Sequence, residues 1–261
     1  MVVTGAAGGL GRALCLRFGA GGASIAALDR DAGALAALSG LLAGRGIRHA
    51  AVACDVADEG GVAAAFDQAR AILGPVDLLI ANAGITQRSL LANTLPAVIR
   101  RVMEVNFLGA LYCTHEALPD LLARRGMVIG ISSVAGFAPL LARTGYAASK
   151  HALHGFFDSL RSEVSGAGVD VLLVCPSFIE TGIEKAALAG DGRPVGHGQA
   201  VVGRRATPEE IAEKIHRAAV RRRRLLLPGA VPRLAWWVSR LAPGVYARLM
   251  ARSQRAELEA G

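Results

Sequence analysis

Residues 1–29 read MVVTGAAGGLGRALCLRFGAGGASIAALD. The apolar, β-branched opening predicts a short strand over 1–4. Thr4-Gly5-Ala6-Ala7-Gly8-Gly9-Leu10-Gly11 follows, and a helical pattern runs on through Ala20. Ser24 to Leu28 predicts a second strand, closed by Asp29. Strand, glycine turn, helix and strand make a βαβ unit. Glycine lets the backbone approach a pyrophosphate, and the helix N-terminus supplies N–H donors and a favourable dipole. Asp29 stands 18 residues beyond Gly11, near the spacing of a carboxylate that accepts hydrogen bonds from an adenosine ribose. Glycine is abundant in this chain, so a chance cluster has to be weighed. The flanking strand and helix and the placed acid favour nucleotide binding.

The same alternation continues outward. Helices are expected over Ala32–Ala43 and over Asp58–Leu73, the latter opened by an Asp58 cap. Strands are expected over Arg48–Cys54, Val76–Ala81, Met127–Ser132 and Val169–Cys175. Helical patterns cover 95–125, with Asn106 in their middle, a poor position for a buried amide unless something satisfies it. A further helix spans Gly145–Ser165. The chain therefore predicts an α/β fold, a Rossmann-like doubly wound parallel sheet with helices on both faces. Such sheets bind ligands at their C-terminal strand ends. The glycine turn, Asp29, Asp55, Asn82, Ser133 and Pro176 all follow strand ends and converge on that edge.

Tyr146 and Lys150 lie on one face of the Gly145–Ser165 helix at i, i+4. An ammonium beside a phenol favours the phenolate, so the pair is expected to lower the tyrosine pKa toward neutrality. A tyrosine so tuned gives a proton to a carbonyl oxygen or takes one from an alcohol. Ser133, 13 residues before Tyr146, is placed to hold the same oxygen.

Bulk properties set limits. The chain has 261 residues, 52% hydrophobic and 19% charged, which excludes disorder. Cys15, Cys54, Cys113 and Cys175 are scattered in apolar runs without metal-ligand spacing, and are read as buried free thiols of a reducing compartment, the cytoplasm. No charged leader and no membrane-length apolar run is apparent. The net charge is +8, yet residues 1–216 hold 19 basic and 19 acidic side chains, while 217–261 hold 10 arginines and 2 glutamates. A neutral body argues against a nucleic-acid binder and directs attention to the tail.

The combination closely resembles the short-chain dehydrogenase/reductase family over residues 4 to about 181. Gly5, Gly9, Leu10 and Gly11 look like its cofactor loop. Asn82-Ala83-Gly84 resembles its Asn-Ala-Gly stretch beneath the cofactor, with Ala81 in place of a preceding Asn. Asp55-Val56 resembles its adenine-contacting pair. Asn106, Ser133, Tyr146 and Lys150 match its catalytic tetrad. The resemblance implies that Tyr146 is the acid/base, that Lys150 tunes it and bonds the nicotinamide ribose, that Ser133 holds the substrate oxygen, and that Asn106 positions a water linking Lys150 to solvent. It further implies nicotinamide contacts at Pro176, Ile179 and Thr181, although Pro176-Ser177 replaces the usual Pro-Gly. Asp29 disfavours a 2′-phosphate and so points to NAD. Arg30 and Arg12 stand nearby, with NADP as the alternative.

The implied activity is hydride transfer between a nicotinamide cofactor and a secondary alcohol or ketone. Phe137, Leu140, Leu141 and Phe178 hint at a hydrophobic small-molecule substrate. A non-catalytic nucleotide-binding or membrane-surface scaffold on the same fold is the alternative, disfavoured by the complete tetrad. An epimerase or dehydratase usually needs a longer C-terminal region. The catalytic domain is expected over 1–228, with a glycine-rich substrate lid over 181–206. A helix opens at Thr207-Pro208, and Leu225–Leu227 forms a last strand. A basic amphipathic helical tail is expected over 229–261. There Leu234, Trp237, Val238 and Leu241 share one face, and Arg248, Arg252 and Arg255 another. That tail serves peripheral membrane contact, packing on the body, or contact with a second subunit. A homodimer or homotetramer is expected.

Overall fold

The structure, a computed structural model, describes residues 1–182, 187–195 and 204–253. Among the described residues, seven parallel strands form one sheet in the order β3-β2-β1-β4-β5-β6-β7. They are β1 (Val2–Thr4), β2 (Ile25–Asp29), β3 (His49–Ala53), β4 (Leu78–Ala81), β5 (Met127–Ile131), β6 (Asp170–Val174) and β7 (Leu225–Leu226). The order reverses between β1 and β4, which opens a crevice at their C-terminal ends.

Successive strand residues point to opposite faces, and both faces are apolar. Val2, Leu79, Val128 and Leu173 face α3 (Glu59–Leu73), α5 (Gly109–Arg124) and α6 (Thr144–Val164), where Phe66 and Phe157 are fully buried. Val3, Ile80, Ile129 and Leu172 face α1 (Gly9–Ala20), α2 (Ala32–Ala43) and α7 (Pro208–Val220). The near-continuous hydrophobic runs of the central strands follow from this double burial. Gly130 fits the pattern for a packing reason: a Cβ there would lie 2.4 Å from the Phe157 ring. All four cysteines are buried free thiols, as expected.

Helix starts follow local chemistry. The Asp31 carboxylate caps α2 by accepting from Ala34 N at 2.9 Å. Thr207 and Glu210 form a reciprocal capping box at the start of α7. The expectation for Asp58 needs correction. It occupies the N-cap of α3 but its side chain makes no capping hydrogen bond.

The helical pattern over 95–125 also resolves differently. α4 (Pro96–Met103) and α5 are separated by a single π-helical turn, Glu104–Leu108, and Asn106 sits inside it. One extra residue per turn re-aims the amide, and such bulges are frequent at functional sites. At the other end, α8 (Ala230–Leu241) and α9 (Pro243–Ser253) follow β7. They pack on the segment after Ser133, with Ala235 and Tyr246 buried against Val134 and Ala138. Arg255, expected on this tail, lies outside the described residues. No described helix is long and apolar enough to cross a membrane.

Candidate active site

The crevice between the C-terminal ends of β1 and β4 opens into a cleft of about 500 Å³. Its first wall is the turn after β1. Gly5 adopts φ +60°, a conformation that L side chains rarely take. The Thr4 hydroxyl accepts from the backbone N–H groups of Asn82 and Ala83, both at 3.0 Å. Asn82 Nδ2 donates in return to the carbonyls of Thr4 and Gly5, at 2.9 and 3.1 Å. These bonds tie the glycine turn to the end of β4. Thr4 stands in the quoted motif, but its locking role depends on two chain segments 78 residues apart meeting in space.

Asp29 closes the turn from β2. Its Oδ2 accepts from Ala7 N at 2.9 Å and its Oδ1 from Asp31 N at 3.1 Å. Asp29 and Arg30 line the cleft, whereas Arg12 is exposed and outside its lining. Asp55 lies at the far end and pairs with Arg101 at 2.9 Å. Desolvation opposes its ionisation, yet the Ala57 N–H and the Arg101 guanidinium outweigh it and hold the carboxyl below the usual carboxylate range. Arg101 comes from α4 and lies outside the cleft lining, bearing on the site only through Asp55, and a surface-helix arginine carries no local signal of such a pairing.

Of the expected cofactor residues, Gly5, Gly9, Leu10, Gly11, Asp29, Arg30, Asp55, Val56, Asn82, Ala83, Gly84, Pro176, Ile179 and Thr181 all line this one cleft. Ser133, Tyr146 and Lys150 line its other end. Phe178 and Leu140 reach it as well, but Phe137 packs edge-on against Trp236 instead, and Leu141 is not in the lining. Thr86 and Arg143, unforeseen, complete the wall, joined by a 3.3 Å hydrogen bond. The glycine-rich segment is described only in part. Residues 187–195 are tied to the Thr86–Leu95 stretch, for example by Leu188 N donating to Thr86 O at 2.9 Å. The rest of the expected lid, 183–186 and 196–203, lies outside the described residues.

The reactive end is built from β5 and α6. Ser133 follows β5 and accepts from Ala135 N at 3.2 Å. Its hydroxyl acts to lower the pKa of the Tyr146 phenol. Lys150, one helical turn on, is buried and donates from Nζ to Ile131 O at 2.9 Å. The ammonium lies 5.8 Å from the centre of the Tyr146 ring. Asn106 is outside the lining. Its Oδ1 accepts from Ile85 N at 2.8 Å, and its Nδ2 donates to Ile85 O and to Ser149 Oγ, at 3.0 and 2.9 Å. Ser149 then donates to Tyr146 O at 2.8 Å. The mid-helix amide is thus satisfied, and it couples the loop after β4 to the start of α6.

The electrostatics correct one expectation. The i, i+4 spacing suggests a lowered tyrosine pKa, but burial raises it, against the pull of Ser133 and of the Arg143 charge. Burial pushes the Lys150 ammonium down to about 8. Desolvation disfavours charge on either group, and helical spacing reports nothing of it.

A stability signature follows. The folded-state pKa of Lys150 lies below its ordinary value of 10.5. Between those values the unfolded chain holds a proton that the folded chain does not, so stability rises with pH there. From about pH 8 upward the buried thiols work the other way, since burial raises Cys15, Cys54, Cys113 and Cys175. Unfolded thiols already ionise between about pH 8 and 9, so the Lys150 contribution there, about 1 kcal/mol, is isolated only as the difference between wild type and a variant that keeps the thiols. In urea denaturation, wild type is expected to gain about 1 kcal/mol relative to Lys150→Met on going from pH 8 to pH 9. An unchanged slope in the variant would show that Lys150 is not the titrating group.

Comparison with known proteins decides the class. A family model described as short chain dehydrogenase matches residues 1–191. The chain belongs to this family. This short-chain dehydrogenase is 38% identical over 265 residues to the Dehydrogenase/reductase SDR family member 7B of Bos taurus, covering 98% of this chain and 82% of that one. It is 33% identical to the Dehydrogenase/reductase SDR family protein 7-like of Anopheles gambiae, covering 98% and 83% of the two chains. A solved short-chain dehydrogenase/reductase from Burkholderia phymatum, in complex with NAD, superimposes with a TM-score of 0.78 at 25% identity, over 99% of this chain and 94% of that one. As a member of the family, the short-chain dehydrogenase described here is an oxidoreductase with a Rossmann-like fold.

Proposed function

We propose that this protein transfers a hydride between NAD and a hydrophobic secondary alcohol or its ketone, with Tyr146 as general acid/base. The observation that carries the reading is the meeting of Ser133, Tyr146 and Lys150 in the same cleft as the glycine turn. The cleft fits a dinucleotide. A Cβ at Gly9 would lie 2.8 Å from Thr181 Cα, and one at Gly11 only 2.0 Å from Gly5 O, so the turn closes this tightly only with glycine there, and it lines the cleft with backbone that a pyrophosphate can approach. The Burkholderia phymatum relative was solved with NAD, which supports the same cofactor here.

Bound there, the nicotinamide supplies or accepts the hydride. The Ser133 hydroxyl donates a hydrogen bond to the substrate oxygen. Tyr146 delivers a proton to that oxygen in reduction and removes it in oxidation. The Lys150 charge lies beside the ring and offsets the negative charge that grows on the phenolate. Asn106 is a positioning residue, acting on Tyr146 through Ser149. Phe178 and Leu140 favour an apolar substituent on the substrate. Assay against a panel of aliphatic and aromatic secondary alcohols and ketones, following NADH absorbance, tests the reading. Turnover of apolar members supports it, and no turnover of any member with either dinucleotide would remove it.

The dinucleotide preference is a separate expectation. A 2′-phosphate at the ribose would meet the Asp29 carboxylate. NADH is expected to bind at least about tenfold more tightly than NADPH, the equivalent of one unfavourable charge contact of about 1.4 kcal/mol. Asp29→Asn removes the charge and keeps an acceptor for Ala7 N, so it should narrow that ratio. Fluorescence titration with both dinucleotides measures it, and a wild-type preference for NADPH would overturn the assignment.

A further inference from the structure

From residue 214 to residue 256 the sequence contains no aspartate or glutamate. Within that stretch α8 and α9 bury one side of each helix and leave the other apolar. Pro232, Ala235 and Tyr246 are buried against the body. Away from them project Leu234, Trp237, Leu241, Val245 and Leu249, each 50–76% exposed. On a 3.6-residue helix Leu234, Trp237 and Leu241 form one stripe, opposite Pro232 and Ala235. Arg233 and Arg240 flank that stripe, and Arg248 and Arg252 flank Val245 and Leu249. The Arg240 guanidinium stacks on the Trp236 ring at 3.2 Å, which holds one flanking charge in place.

We propose that α8 and α9 form a docking surface for a lipid bilayer with anionic headgroups, the two helices lying in the membrane plane. Two features on the surface choose this occupant. Large apolar side chains bordered by arginines match the boundary between acyl chains and negative headgroups. A second copy of the chain is disfavoured, because joining two such faces would bring like-charged arginine borders together with no carboxylate in the stretch to offset them. The docking surface is also joined to the candidate site. Its inner side packs on Val134, Phe137 and Ala138, the segment that starts directly after Ser133. A bilayer held by the tail would therefore lie beside the segment that leaves Ser133.

Co-sedimentation of the protein of residues 1–261 with vesicles tests this, independently of any redox activity. Vesicles of phosphatidylcholine with about one-third phosphatidylserine should bind at least about tenfold more tightly than phosphatidylcholine alone, and salt should weaken the binding. The triple variant Leu234→Ser, Trp237→Ser, Leu241→Ser should lose at least about tenfold in affinity for the anionic vesicles. Replacing Arg233, Arg240, Arg248 and Arg252 by glutamine should abolish the discrimination between the two vesicle types. Since all the altered side chains are exposed or flank the exposed face, circular dichroism melting should match wild type and show that folding is intact. Absence of vesicle binding would overturn the proposal. So would undiminished binding by the triple variant, a smaller oligomer on size exclusion when the apolar stripe is removed, or binding of nucleic acid in place of vesicles.

Discussion

Replacing Tyr146 by phenylalanine is expected to lower kcat by about three orders of magnitude while leaving dinucleotide affinity essentially unchanged. The substitution removes one oxygen. The ring stays, and with it the contact to Lys150 Nζ at 5.8 Å. The glycine turn, Asp29 and the Asn82 anchor are untouched. What disappears is the proton donor and acceptor at the substrate oxygen, a contribution of about 10²–10⁴ in rate. Ser133 keeps its contact to Ala135 N at 3.2 Å. Steady-state turnover and dinucleotide titration, run side by side, separate chemistry from binding. Turnover within about tenfold of wild type would mean that another group moves the proton. A joint loss of turnover and dinucleotide affinity would mean instead that the ring shapes the cofactor pocket.

Gly11→Ala should have the second largest effect, acting on structure before chemistry. An added Cβ would lie 2.0 Å from Gly5 O and 2.8 Å from Ala6 Cα. Both obstacles are backbone, and Gly5 is itself held by Asn82 at 3.1 Å, so the clash cannot be relieved by a rotamer change. Overpacking of this kind costs about 1–3 kcal/mol, and more where the backbone is pinned. The turn must move, and the dinucleotide site moves with it. Dinucleotide affinity is expected to fall by at least about 100-fold, the equivalent of about 2.7 kcal/mol. Gly8→Ala is the matched control. Its Cβ would meet only Gly5 O, at 3.4 Å, and it should be tolerated. Equal behaviour of the two variants, by thermal melting and dinucleotide titration, would refute the steric account.

Much of the site was legible because its residues carry local signatures. A glycine turn between a strand and a helix needs no tertiary information to be recognised, and neither does an acid at the end of the next strand. Tyr146 and Lys150 are linked by helical periodicity alone. The α/β alternation placed Asn82, Ser133 and Pro176 after strand ends, and hence on one edge. Other members were not legible for a common reason. Arg101, Thr86 and Arg143 act through partners brought in by folding. Asn106 was visible as an anomaly, but its explanation required the π turn and the meeting of Ile85 with Ser149.

The sequence alone determined the layer architecture, because apolar runs of strand length alternating with amphipathic helices can be buried in few other ways. It also determined which side chains share an edge or a helix face, since those relations depend only on period and order. Only the tertiary structure decided the electrostatic state of the reactive groups. Burial moved the Tyr146 phenol upward and the Lys150 ammonium down to about 8, and desolvation is a property of everything packed around a group. The same holds for the tail. Its basic, amphipathic character was readable in the chain, but which face is turned inward depended on Ala235 and Tyr246 finding Val134 and Ala138, about 100 residues earlier.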